Sequence, residues 1–380
     1  MTKRYYFDHN ATTPMSEEAY AAMGPLMRDV FGNASSIHQF GQQARHALDT
    51  ARREIAAALG VNGVTAKPEE IVFTSGGTES DNLALFGFGR AGHVITSSIE
   101  HPAVLQACEQ LQDVTVLPVD VRGWLDPEAV RRAIRPETKL ISVMHVNNEL
   151  GVIQPVEEIA AIAREAGVAF HSDGVQAFGR IPVSLQNVDL YSISAHKVYG
   201  PKGVGALFVR KNSAVKPLLF GGPQEKKLRA GTENVPGAAG FARAARWVRE
   251  DSAAEAERQG ALRDRLEQAI LDRVPDSHVN GAGAPRVANT TNLRFDGIDS
   301  EPLLISLDLK GFAVSSGSAC SSGAAEPSHV LRAIGLSKMD ARSSIRISLG
   351  RSNTAEQVDA LIEAVVGSVL QLRKLAPAYA

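Results

Sequence analysis

Cysteine is nearly absent: the 380 residues contain two, Cys108 and Cys320. That excludes a disulfide framework and any four-cysteine metal site supplied by this chain alone. An excess of charge is also lacking, since 40 Lys and Arg against 42 Asp and Glu leave a formal net charge of −2. Nothing therefore marks nucleic acid or an anionic membrane surface as a partner. No run approaches the roughly 18 apolar residues of a membrane span. The opening Met1-Thr2-Lys3-Arg4-Tyr5-Tyr6-Phe7-Asp8 has no apolar core of a secretory signal, so a cytoplasmic location is the expectation. Repeats, low-complexity tails and heptad arrays are missing too. The 10 histidines show no ligand spacing beside paired cysteines, and no stable metal site is expected.

What is present is an ordinary soluble composition on a chain long enough for two or three domains. Short apolar runs at 71–74, 93–96, 114–118, 140–143, 168–171, 190–193 and 204–209 read as strands, and helical spacing fills segments between them, such as 155–166. This alternation indicates an α/β layer with a mostly parallel seven-stranded sheet and ligand groups at strand ends. Around Gly221-Gly222-Pro223-Gln224 and residues 231–240 the pattern breaks into loop and then helix, and residues 253–274 read as one long amphipathic helix bridging two domains. Beyond it, strands at 290–295, 313–315 and 344–348 and helices at 300–309 and 354–375 predict a smaller α+β domain, the last helix starting with Thr354 and Gln357 at capping-box spacing. The expected division is 15–250 for the large domain, with 1–14 and 251–380 forming the small one.

Three features carry chemistry. The run Ser192-Ile193-Ser194-Ala195-His196-Lys197 ends a strand on a lysine in a polar, glycine-flanked turn, where an amine could form an imine with an aldehyde cofactor. Upstream, Val168-Ala169-Phe170-His171-Ser172-Asp173 ends another apolar run on a carboxylate. Pyridoxal phosphate needs this pair, one group to hold the aldehyde carbon and one to keep the pyridine nitrogen protonated. In Ile71-Val72-Phe73-Thr74-Ser75-Gly76-Gly77-Thr78 a strand meets two glycines and a helix start, where a backbone can approach a phosphate. Cys108 lies in a helical pattern as a packed apolar group. Cys320 lies in Ser315-Ser316-Gly317-Ser318-Ala319-Cys320-Ser321-Ser322-Gly323, too small and polar for a core, which suggests an exposed thiol on a mobile loop.

With Asp8-His9-Asn10-Ala11-Thr12-Thr13-Pro14, Gly32-Asn33-Ala34-Ser35-Ser36, Glu100-His101, His145-Val146-Asn147-Asn148-Glu149, Gln176 and Arg229-Ala230-Gly231-Thr232-Glu233-Asn234, these motifs resemble the pyridoxal-phosphate-dependent cysteine desulfurases. The branch is the one containing the nitrogen-fixation and iron–sulfur-cluster enzymes, within the class-V aminotransferase family, and the resemblance runs over nearly the whole chain. It implies the fold type I transferase architecture and removal of sulfur from L-cysteine, giving L-alanine and a persulfide on Cys320 for an iron–sulfur scaffold or another sulfur acceptor. Lys197 would hold the cofactor and move protons. Asp173 would hold the ring nitrogen, Gln176 would donate to the phenolic oxygen, and His101 would stack on the ring and serve as a base for the thiol. Asn148 would lie near the cofactor oxygen and the substrate carboxylate. Gly77, Thr78, Ser194 and His196 would hold the phosphate, joined by Thr232 from a partner subunit, which implies a homodimer with shared sites. Arg346 is preferred over Arg351 as the fork for the substrate α-carboxylate. Cys320 could also act as a transient ligand of a nascent cluster.

Two positions depart from the family pattern: His9 stands where asparagine is usual and Ala195 where glycine often sits. An aminotransferase of the serine or alanine–glyoxylate type would share the lysine, aspartate and phosphate loop but has no need of Cys320. A selenocysteine lyase would use the same site.

Overall fold

The computed structural model describes residues 3–61, 64–88, 90, 92–316 and 327–375. Seven strands form one sheet in the spatial order Ile71–Thr74, Gly205–Val209, Leu190–Ser194, Ala169–Asp173, Thr138–Ser142, His93–Ser97 and Val114–Leu117. Gly205–Val209 runs antiparallel to both its neighbours and the remaining pairs are parallel. The period-2 alternation of a strand sorts its apolar residues onto two faces. Ile71, Phe73, Ile95, Ile141 and Phe208 enter one core, with Ile55 and Phe241 from helices. Val72, Val94, Leu140 and Leu207 pack on the opposite face, with Leu83 and Val104. Because both faces are covered, these strands read as continuous apolar runs rather than as half-polar ones.

The second core gathers Phe7, Leu266, Phe295, Ile345, Ile347 and Val365 around a three-stranded antiparallel sheet of Ser277–Val279, Thr290–Phe295 and Ser344–Ser348. The N-terminus joins it: Tyr5–Tyr6 pairs parallel with Phe312–Ala313, and Asp8 bridges to Ser348. A helix of 39 residues, Val235–Arg273, spans about 58 Å at 1.5 Å per residue. It places Phe241, Ala245 and Val248 in the first core and Leu262, Leu266 and Ile270 in the second.

Differences from the sequence reading have local causes. The helix begins at Val235, not at 253, because Asn234 caps it by accepting from the Gly237 amide at 3.0 Å and Pro236 is tolerated in the first turn. Gly237 and Gly240 look like breakers in the sequence. Gly240 is in fact a contact point, where a Cβ would come within 2.8 Å of Met23 Sδ, so packing outweighs propensity. The expected strand at 313–315 is a short pairing at Phe312–Ala313 followed by an isolated bridge from Ser315 to Arg346.

Gly174, directly after Asp173, marks a close approach: a Cβ there would overlap the Tyr191 ring, which is fully buried and hydrogen-bonded through its hydroxyl to His145 Nδ1 at 2.8 Å. Gly174→Ala is expected to lower stability by about 1–3 kcal/mol, the usual cost of overpacking. Urea unfolding of the variant beside the parent protein checks this, and an unchanged midpoint would contradict it.

Candidate active site

Lys197, Asp173, Ser194 and Gly77 meet at adjacent ends of the large sheet. Asp173 closes the strand Ala169–Asp173, Ser194 closes the neighbouring Leu190–Ser194, and Lys197 follows in a single turn of 3₁₀ helix. Gly77 opens the helix Gly77–Phe88, and a Cβ on it would lie 3.8 Å from the Ser194 Cβ, so helix start and strand end are side by side. Backbone N–H groups of that first turn, the Ser194 hydroxyl and the helix dipole are groups that could cradle an anion. Glu79, in the same turn, receives the Arg229 guanidinium at 2.8 Å and the Ser75 amide at 2.8 Å. This ties the loop that carries Thr232, itself exposed, to the cradle. A second tie is the buried Glu225, which takes both terminal nitrogens of Arg52 at 2.6 and 2.8 Å and the Phe73 amide at 2.9 Å. Glu225, Lys226 and Lys227 all hold positive φ, 43°, 57° and 67°, a strained stretch for residues other than glycine.

Lys197 is half-buried and its Nζ donates to the carbonyls of Asn10 at 2.6 Å and Ala11 at 2.7 Å. Burial, then the charges of Arg180 and Arg346, pull its pKa down to about 7, against Asp173 and Asp8. Asp173 is buried, and burial holds its carboxyl above the usual range, with His101 and Lys197 opposing. Its Oδ1 accepts from the Val175 amide at 2.9 Å. Beneath it, Asp81 is likewise pushed up by burial and by the Asp173 charge. Burial lowers His145 to about 4 and His171 to about 3, so both rings are neutral structural partners.

His101 caps the helix Pro102–Cys108: its Nδ1 accepts from the Ala103 amide at 3.1 Å. Burial, Lys197 and His329 lower its pKa, with Asp173 opposing. With Nδ1 committed, the proton of the neutral ring sits on Nε2, so service as a base requires the cap to open. Gln176 Nε2 donates to the Asn10 carbonyl at 3.0 Å, and its Oε1 has no partner. His196 Nδ1 contacts Thr12 Oγ1 at 3.1 Å, and burial followed by the charge of Lys197 lowers the ring to about 4. Asn148 and Arg346 are together: the Asn148 carbonyl accepts from Arg346 Nη1 at 2.9 Å. Arg351 is elsewhere, its guanidinium 5.2 Å from the Tyr199 ring and 5.0 Å from the Trp247 ring.

Cys320 lies outside the described residues. The described chain stops at Ser316 and resumes at Pro327 beside the site. Ser315 exchanges backbone hydrogen bonds with Arg346 at 2.6 and 3.1 Å, Ser328 Oγ donates to Glu149 at 2.6 Å, and His329 Nε2 contacts the Glu100 carbonyl at 2.9 Å. Cys108 is buried and pushed up to about 12 by burial and Glu100, an inert packed thiol. Among the described residues no group of His, Cys, Asp and Glu could hold a metal ion, and no helix is long and apolar enough to cross a membrane.

The family model "Aminotransferase class-V" matches residues 5–361. The chain belongs to the class-V aminotransferase family. Family relatives at high identity include "Cysteine desulfurase IscS" of Methanosarcina thermophila, 47% identical over 99% of this chain and 94% of the relative. "Cysteine desulfurase" of Gluconacetobacter diazotrophicus is 46% identical over 98% and 95%. Among solved structures, a "NIFS-LIKE PROTEIN" superposes with TM-score 0.87 at 36% identity, covering 97% of this chain and all of that one. "SspA in complex with cysteine" gives 0.80 at 38%, covering 90% and 98%.

Sequence reasoning found most of these groups and missed how they are held. Asp8 and Asn10 stand inside the quoted opening motif, but no local pattern says that Asp8 meets Arg346 or that the Asn10 carbonyl meets Lys197. Nothing singled out Arg180 or Arg52.

The lowered Lys197 amine makes a prediction. Cofactor-free protein should capture added pyridoxal phosphate with a pH midpoint near 7, where an ordinary lysine would give about 10. Stopped-flow absorbance across pH checks it, and Lys197→Ala should give no capture that borohydride can fix to the chain.

Proposed function

We infer that this chain is a cysteine desulfurase, removing sulfur from L-cysteine with L-alanine as the other product. The observation that carries the reading is the full-length identity of 47% and 46% with relatives named for that activity, on a chain that retains Lys197, Asp173 and Cys320. Pyridoxal phosphate is the proposed cofactor. Support comes from polar atoms that are buried without partners around the lysine: Ser194 Oγ, Asn148 Oδ1 and Gln176 Oε1. Buried polar groups rarely stay unpaired: the Ser194 hydroxyl can donate to a phosphate, while the two amide oxygens, which only accept, fit N–H or O–H donors of a bound cofactor and amino acid. When bound, the cofactor supplies an electron sink that labilises bonds at the substrate amino acid.

The chain's own groups have separate tasks in this reading. Lys197, with its amine near neutrality, holds the aldehyde carbon and then takes and returns protons. Among the described residues no cationic side chain is bonded to Asp173, and a protonated ring nitrogen would give its carboxylate the partner that burial demands. Gly77, Thr78, Ser194 and His196 hold the phosphate. Thr232, exposed on its tethered loop, joins them from a partner subunit in a homodimer. His101 lies against the ring. Arg346 and Asn148 receive the substrate carboxylate. Cys320 attacks the substrate sulfur as thiolate: the carbon–sulfur bond breaks, a sulfur–sulfur bond forms, and the persulfide carries sulfur to an acceptor such as an iron–sulfur scaffold.

Holoprotein given L-cysteine and a thiol reductant should release alanine and sulfide in equal amounts. Cys320→Ala should keep the cofactor spectrum and lose both products by at least about a hundredfold, a usual loss for removing a covalent catalyst. Paired amino-acid and sulfide assays decide it. Neither product from protein with an intact cofactor spectrum would overturn the reading in favour of transamination.

A further inference from the structure

Arg346 is the guanidinium assigned above to the substrate carboxylate, yet its terminal nitrogens are already engaged. Nη2 donates to Asp8 Oδ1 at 2.6 Å and Nη1 to the Asn148 carbonyl at 2.9 Å, while Nε is buried without a partner among the described residues. The Arg346 side chain retains 4% exposure and that of Asp8 19%. A carboxylate of the chain itself thus sits on the group that selects carboxylates.

The placement follows from the backbone. Asp8 bridges in parallel to Ser348, with the Ser348 amide donating to Phe7 at 2.8 Å and the His9 amide to Ser348 at 3.3 Å. Arg346 precedes Ser348 by two residues on the strand Ser344–Ser348, so both side chains leave the same face. Tyr6 Oη donates to the Asp8 carbonyl at 2.9 Å and to the Thr12 carbonyl at 3.0 Å, closing the turn.

We propose that Asp8 sets amino-acid affinity: it is a built-in carboxylate that holds Arg346 in the substrate-free site and that the incoming α-carboxylate must displace. A guanidinium this buried is unstable without a counter-ion, and Asp8 supplies one between turnovers. Two carboxylates on one guanidinium repel at short range, so the substrate binds by exchange. Affinity is then the difference between two similar charge-assisted bonds, and an amine that brings no carboxylate leaves the Asp8 pair in place. This rests on the reading of Arg346 as the carboxylate fork.

Asp8→Asn keeps the shape and one acceptor oxygen and removes the charge. Holoprotein of the parent and the variant is titrated with L-alanine, which has the α-carboxylate and no sulfur, and binding is followed by calorimetry and by cofactor absorbance. The dissociation constant is expected to fall about tenfold in the variant, the difference between a charged and a neutral competitor. KM for L-cysteine should fall in parallel, and cysteamine, which lacks the carboxylate, should bind both proteins alike. Asp8→Ser should move in the same direction, and it stands in if the asparagine variant melts early. Weaker or unchanged L-alanine binding in the variants, or no binding to any form, overturns the proposal, since a residue that merely braces Arg346 would weaken binding when cut. Sulfide release by the parent protein reports separately on the desulfurase reading, so either can fail without the other.

Discussion

A half-buried ammonium must have acceptors, and Lys197 finds them in the chain's own N-terminal segment. The carbonyls of Asn10 and Ala11 take its protons at 2.6 and 2.7 Å. The same short segment sends Thr12 to His196, Thr13 to the His196 carbonyl, the Asn10 amide to Asn148 and Asp8 to Arg346. Phe7, just before it, is fully buried in the second core. Lys197 belongs to the large sheet and Arg346 to the small one, so this segment links two cores and the site between them. Misplacing it would take the acceptors from Lys197 and Gln176 and the counter-ion from Arg346 together, which is costlier than losing any one bond.

The electrostatics follow from this burial. Removing water lowers cationic groups and raises acidic ones, so Lys197 moves down to about 7 while Glu100 moves up to about 8, with Asp173 and Asp81 also raised. Lys197 and Glu100 are thereby brought closer to changing their protons near neutrality, which for Lys197 is what proton transfer requires. Glu100 illustrates the structural side of the same physics. It is held by Ser97 at 2.5 Å and by the Met144 amide at 2.9 and 3.0 Å, and it keeps the chain before His101 in place.

Much of this was legible in the residues. The strands at 71–74, 93–96 and 190–193 announce themselves as short apolar runs because both sheet faces are buried, and Lys197 and Asp173 are conspicuous because polar groups end those runs. The helix Val235–Arg273 was only half legible: its second half has amphipathic spacing, whereas its first half carries Gly237, which makes room for the side chain of the capping Asn234, and Gly240, which touches Met23 of another element. Asp8 gave no signal of its role, since its partner lies 338 positions away. The two cation–π contacts of Arg351 were equally hidden, because they join residues from separate elements.

By itself the sequence determined the kinds of element, their alternation, and the reactive side chains at strand ends, because hydrophobic period and turn chemistry act over a few neighbours. Only the tertiary structure decided which partners those side chains have. Whether Lys197 titrates near 7 or near 10, and whether Arg346 stands free or paired, depends on burial and on charges delivered by chain segments far away in sequence. Desolvation and Coulomb forces depend on distance in space, and distance in space is set by how the two cores close around the N-terminal segment.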